Sequence, residues 1–140
     1  MRQAARKQAL SRRVQRDSFL DESYGRAALA EAYGTFLLTT IGPGTIIVVT
    51  FLDGSVLSAG LGFVGLAHGV ARLLAVYTIG RLTGAHINSA VTIAHWATRR
   101  IETKKVAPYF LGQLAGASIA GFVQLALWIS SNNRGLVRAT

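Results

Sequence analysis

The chain has 140 residues, 15 of them glycine, and a formal charge of +9 without a single cysteine. Its length is that of one domain, and the missing cysteines exclude disulfides and thiolate metal sites. The charge invites a nucleic-acid reading, yet seven of the fifteen Lys/Arg lie in the first 26 residues and five between Arg81 and Lys105, flanking apolar runs as topology signals do.

Residues 1–26 read as a basic tail. Met1 to Arg16 holds no acidic residue and no apolar core, so it is not a secretory signal peptide. Its Arg-rich composition also fits an organelle transit peptide, but a cytoplasmic tail lying on anionic lipid is the simpler reading. Residues 27–52 are apolar apart from Glu31 and scattered threonines. At about 1.5 Å per residue they cross a hydrocarbon core of about 30 Å. Gly42-Pro43-Gly44 inside this span predicts a bend. Asp53-Gly54-Ser55 is a turn without Lys or Arg, and a second span over 56–80 contains His68 and Arg72.

Residues 81–98 break the pattern. Gly84 to Thr92 reads GAHINSAVT, small and polar, and Val91 to Thr98 is apolar but too short to cross. Such a segment dips into the membrane as a half-helix, its backbone sheltered by protein or by a watery cavity. Asn88 caps the half-helix, whose positive dipole end then repels cations near the membrane centre. The charged turn Arg99–Lys105 precedes a third span over 106–130, and residues 131–140 form a polar tail. Gly65 with Gly69, and Gly112 with Gly116 and Ala120, are small-residue rows of the kind that let helices approach closely. The expected fold is an all-α membrane protein: three transmembrane helices plus one re-entrant half-helix.

Twelve Lys/Arg lie in the tail and the 81–105 region against two, Arg134 and Arg138, in the C-terminal tail. This asymmetry predicts an integral membrane protein, in the cell membrane, with its N-terminus cytoplasmic and its C-terminus outside.

The residues resemble a family. GAHINSAVTIA looks like the first signature of the aquaporin, or major intrinsic protein, family, usually GAHxNPAVT. Ala30-Glu31-Ala32-Tyr33-Gly34-Thr35-Phe36-Leu37-Leu38 resembles the family's first helix, Gly65-Leu66-Ala67-His68-Gly69-Val70 its second, and Pro108 to Ala117 its third. The likeness covers residues 27 to 129 in the family's order. Two departures stand out. Ser89 replaces the proline that presets the first helical position, which predicts a looser half-helix start. The sequence also carries only the first of the family's two inverted repeats, without the second asparagine motif or the arginine of the outer constriction.

The resemblance implies roles. The Asn88-Ser89-Ala90 triplet would sit at the pore, with Asn88 orienting the passing solute. His68 would join the outer constriction, where a histidine resembles plant vacuolar-membrane water and ammonia channels; alternatively it is a buried histidine bonded between helices. His86 would stand near the inner mouth, with Leu38 and Val91 as apolar pore wall. Glu31 resembles the buried first-helix glutamate that accepts hydrogen bonds from the re-entrant loop.

Arg72, four residues after His68 and on the same helical face, is costly inside a span. Either it snorkels to the interface or it points inward and pairs with Glu31 or the re-entrant loop. His95 has no implied role. Three scattered histidines make a poor metal site, and no nucleophile–base pair or phosphate loop is present, so neither an enzyme nor a cofactor is expected. The expected partners are the lipid bilayer, water or a small neutral solute, and an oligomer or a complementary half. The channel reading is conditional on that second half. A non-conducting truncated protein or subunit, or a membrane-surface scaffold, are the alternatives.

Overall fold

The structure, a computed structural model, describes the backbone of residues 2–53 and 60–138. The turn residues Gly54 and Ser55 and the first residues of the second expected span, 56–59, lie outside the described residues, as do Met1 and residues 139–140 of the tail. Among the described residues four helices follow in chain order: α1 (Arg2–Asp53), α2 (Gly60–Thr83), α3 (Ser89–Ala97) and α4 (Thr103–Arg138). There is no strand among the described residues. In lipid no water satisfies a bare amide, so apolar spans close their hydrogen bonds within themselves as helices. Among the described residues three segments are long and apolar enough to cross: Ser23–Thr50, Gly60–Thr83 and Thr103–Ser130. Large side chains such as Phe63, Leu66, Tyr77, Leu111 and Phe122 point outward and exposed, where hydrocarbon suits them better than water.

The helix α1 joins the basic segment and the first span in one continuous element and runs uninterrupted through Pro43. Proline has no N–H to give the carbonyl four residues back. Here Gln124 of α4 supplies the donor: its Nε2 reaches the Thr39 carbonyl at 2.6 Å and that of Thr40 at 3.3 Å.

The packing register fixes the topology. Along α1 and α2, Gly34 meets Ala75 and Ile79, Gly42 meets His68, and Val49 meets Gly60, so the two helices are antiparallel. Along α1 and α4, Ala28 meets Gly112, Ala32 meets Gly116, and Thr39 meets Gln124, so these two are parallel. Hence α1 is the middle helix, and the end of α2 and the start of α4 lie at one end of the bundle.

Among the described residues only one of the two small-residue rows packs against another helix. A Cβ on Gly112 or Gly116 would overlap the backbone carbonyl of Ala28 or Ala32, and Ala120 is fully buried in line with them. This is the close approach that small residues permit in lipid. Gly65 and Gly69 are exposed, with nothing within 4 Å of a Cβ built on either. A small buried cluster of Ala30, Ala75, Ile79, Ala85 and Ile87, flanked by Leu38, fills the space between α1, α2 and the loop after α2.

Candidate functional site

The break after α2 begins with its C-terminus. Gly84 bonds back to the Gly80 carbonyl at 2.9 Å and takes a φ of +82°, which glycine adopts without strain. The Thr83 hydroxyl accepts the Ala85 amide at 3.1 Å, and Tyr109 of α4 donates its hydroxyl to the Thr83 carbonyl at 2.8 Å. The helix end is therefore capped twice over. The chain then turns through two further left-handed residues, Ala85 (φ +50°) and Ile87 (φ +42°). A β-branched residue there is an outlier that the surroundings must hold in place.

Glu31 does the holding. Its side chain is fully buried and its carboxylate accepts the amides of His86 at 3.0 Å and Ile87 at 2.6 Å, and the Gln113 side-chain amide at 2.8 Å. A bare Gly34 makes room for this: a Cβ there would come within 2.5 Å of Ile87.

The network continues into α3. A carboxylate only accepts, so Gln113 must turn its nitrogen toward Glu31 and its oxygen toward Ser89, whose hydroxyl donates to it at 2.9 Å. The same Gln113 nitrogen donates to the Thr92 hydroxyl at 3.0 Å. That hydroxyl lies 3.3 Å from the Asn88 carbonyl and 3.1 Å from His86 Nδ1. If Thr92 donates to Asn88, His86 Nδ1 carries the proton. Asn88 itself is extended, and its Oδ1 accepts the Ala90 amide at 2.8 Å, capping α3.

Arg72 reaches the loop and not Glu31: its guanidinium donates to the His86 carbonyl at 3.3 Å. Among the described residues it makes no ion pair with Glu31, whose oxygens are taken by three N–H donors. The His86 ring is buried, edge-on to Tyr109 with centroids 5.0 Å apart and to His95 at 4.3 Å.

The expected site residues thus divide. Glu31, Arg72, His86, Asn88 and Ser89 meet around the loop. Ala90 is exposed, Val91 is half-buried on α3, and Leu38 lies against the buried cluster. His68 stands apart, half-buried, its Nδ1 2.9 Å from the Val64 carbonyl of its own helix and its ring over Gly42. Sequence reasoning gave no role to Gln113, Thr92, Tyr109 or Thr83, which complete the network, nor to His95. Gln113 and Gln124 both lie in the apolar segment of α4, and a glutamine there must find a partner within the bundle, though its type and position do not say which. Among the described residues no three His, Asp or Glu gather as metal ligands.

Residues 19–140 match the family described as Major intrinsic protein. The chain is similar to a probable aquaporin AqpM of Archaeoglobus fulgidus, 33% identical over a region covering 56% of this chain and 38% of that protein. It is also similar to aquaporin Z of Photorhabdus laumondii, 38% identical over 59% and 35% of the two chains. A third relative is the glycerol uptake facilitator protein-like 6 of Lactiplantibacillus plantarum, 39% identical over 55% and 32%. In each case the matched region spans well under half of the relative's length. With a family match over most of the chain and three apolar helices, this is an integral membrane protein that belongs to the major intrinsic protein family.

Proposed function

We propose that the chain forms one half of an aquaporin-type pore for passive transport of water or small neutral solutes, completed by a second, inverted half. The observation that carries this reading is the half-helix α3, capped by Asn88 and tethered through Glu31, Gln113 and Ser89. Its nine residues rise about 13 Å, less than half of a hydrocarbon core of about 30 Å. A helix that stops partway places its positive end and the Asn88 amide at a depth where a pore would use both, excluding cations and orienting the solute. In this reading Asn88, Ser89 and Ala90 face the solute, Leu38 and Val91 supply apolar wall, and His86 and Arg72 flank the inner end. His68 lies further along the pore.

The orientation proposed is cytoplasmic for the N-terminus and for the 81–105 region, from the excess of Lys/Arg there. A reporter fused after Arg16 is then cytoplasmic and one fused after Thr140 is outside; both on one side would overturn it.

The lone chain cannot supply its own inverted partner, because twelve basic residues against two oppose dual insertion. The test is osmotic shrinkage of proteoliposomes. The chain alone should match empty vesicles, and co-reconstitution with the C-terminal half of the Photorhabdus aquaporin Z should raise the rate. Mercury should not block this chain's contribution, since it has no cysteine. Rapid flux from the lone chain would remove the need for a second half. No flux in either case would favour a non-conducting subunit.

A further inference from the structure

We infer that the turn between α3 and α4 is a docking surface for anionic lipid headgroups. A cleft of about 580 Å³ opens there, lined by Trp96, Ala97, Arg99, Arg100, Ile101, Glu102 and Thr103. Arg99, Arg100, Lys104 and Lys105 stand within seven residues of chain against one carboxylate, Glu102, a local balance of four minus one, or +3. Among the described residues none of these five charged side chains has an ion-pair partner. Arg99, Arg100, Glu102 and Lys104 are exposed.

The protein makes this concentration of charge harder to hold, not easier. Lys104 and Lys105 sit in the first turn of α4, which has no acidic residue, so they face the positive end of a helix dipole that favours anions. An external anion relieves both effects at once.

Position selects its source. The apolar segments Gly60–Thr83 and Thr103–Ser130 end and begin at this level, which places the turn among headgroups. Trp96, half-exposed, is fixed at the cleft by its indole N–H, which donates to the Thr103 hydroxyl at 3.0 Å. An indole held at the end of a span is an interfacial anchor. Each cation near an anionic surface is worth about fivefold in attraction. The surface is independent of the pore reading, since it would act on a conducting or a silent chain alike.

The test uses the full chain with Trp128→Phe, leaving Trp96 as the one fluorophore, in bilayers of phosphatidylcholine and phosphatidylglycerol. The two lipids are brominated in turn. Brominated phosphatidylglycerol should quench Trp96 more than brominated phosphatidylcholine at equal fraction. Changing Arg99, Arg100, Lys104 and Lys105 together to Gln should abolish the preference, while Arg99→Lys with Arg100→Lys retains it. Neutralising the six Lys/Arg of residues 1–16 should leave it in place, which separates this surface from the tail. Inorganic phosphate should weaken it no more than chloride of equal ionic strength. Equal quenching by the two lipids, loss with the tail variant, or selective displacement by phosphate would each overturn the proposal.

Discussion

Glu31 and Arg72 hold no ion pair with each other, yet they grip opposite ends of one peptide group. The amide joining His86 to Ile87 donates its N–H to the Glu31 carboxylate at 2.6 Å, and its carbonyl accepts from the Arg72 guanidinium at 3.3 Å. Each interaction polarises the amide in the sense that strengthens the other. The acid and the base therefore act on each other through a backbone unit lodged between them.

A double-mutant cycle measures this. Glu31→Gln replaces one acceptor oxygen with a donor that faces the loop amides, and should cost about 1.5–3 kcal/mol, the range for hydrogen bonds to a charged group. Arg72→Met should cost about 1 kcal/mol. The double variant should lose less than the sum, because both changes release the same peptide. Thermal aggregation in detergent reads the losses, and faster hydrogen exchange at the Ile87 amide locates them. Strict additivity would refute coupling through the peptide.

Pro43 and Gln124 give a second cycle. Gln124→Leu strands the Thr39 carbonyl in a nonaqueous interface and should cost about 1 kcal/mol, in the range of interhelical hydrogen bonds in membranes. In a Pro43→Ala background the new N–H at position 43 can serve that carbonyl. The cost of Gln124→Leu should then shrink. An unchanged cost, read by SDS-induced unfolding, would mean that Gln124 does not substitute for the missing helical donor.

The glycine rows separate cleanly. Gly112→Ala or Gly116→Ala drives a methyl into a backbone carbonyl of α1 that cannot rotate away, and overpacking of this kind costs about 1–3 kcal/mol. Gly65→Ala and Gly69→Ala meet open space and should be neutral or slightly stabilising in the isolated chain. A loss at Gly65 or Gly69 on measuring the same unfolding would reveal a copy or partner seated on that face.

These contrasts show what the sequence can carry. Apolar run length and the small-polar interruption at GAHINSAVT are local, one-dimensional signals, and they pointed to three long helices and to the residues around the loop. Asn88 could be read as a cap from its position alone. Spacing could not tell which glycine row packs, because 65/69 and 112/116 are identical patterns and only the register against Ala28 and Ala32 distinguishes them. The Arg72 partner was ambiguous for the same reason: helical rise places it at the right depth but not on one acceptor. Gln113 stands out as a polar group in an apolar span, but its place in the site depends on Glu31, 82 positions away in the chain.

A stability gain is expected at Arg99. The end of α3 closes with Arg100 N–H on the His95 carbonyl at 2.8 Å and Arg99 N–H on the Trp96 carbonyl at 2.9 Å, with Arg99 at φ +58°. That paired closure favours glycine at the left-handed residue, where a side chain costs about 1–2 kcal/mol. Arg99→Gly should raise the detergent melting temperature; a lower one would mean that the arginine side chain contributes more than its backbone strain removes.

The parallel alignment of α1 and α4, with Gln113 joining Glu31 to Ser89, also sets a schedule for biosynthesis. Glu31 and the loop amides leave the ribosome first and can meet as soon as α2 has turned back. Ser89 and Thr92 emerge with them but have no Gln113 to bind until 24 more residues, counted from Ser89, have been translated. During that interval the half-helix is held only through its loop, by Glu31 of α1 and Arg72 of α2, and its lock arrives with α4. The short helix α3 is therefore complete before the helix that locks it has been made.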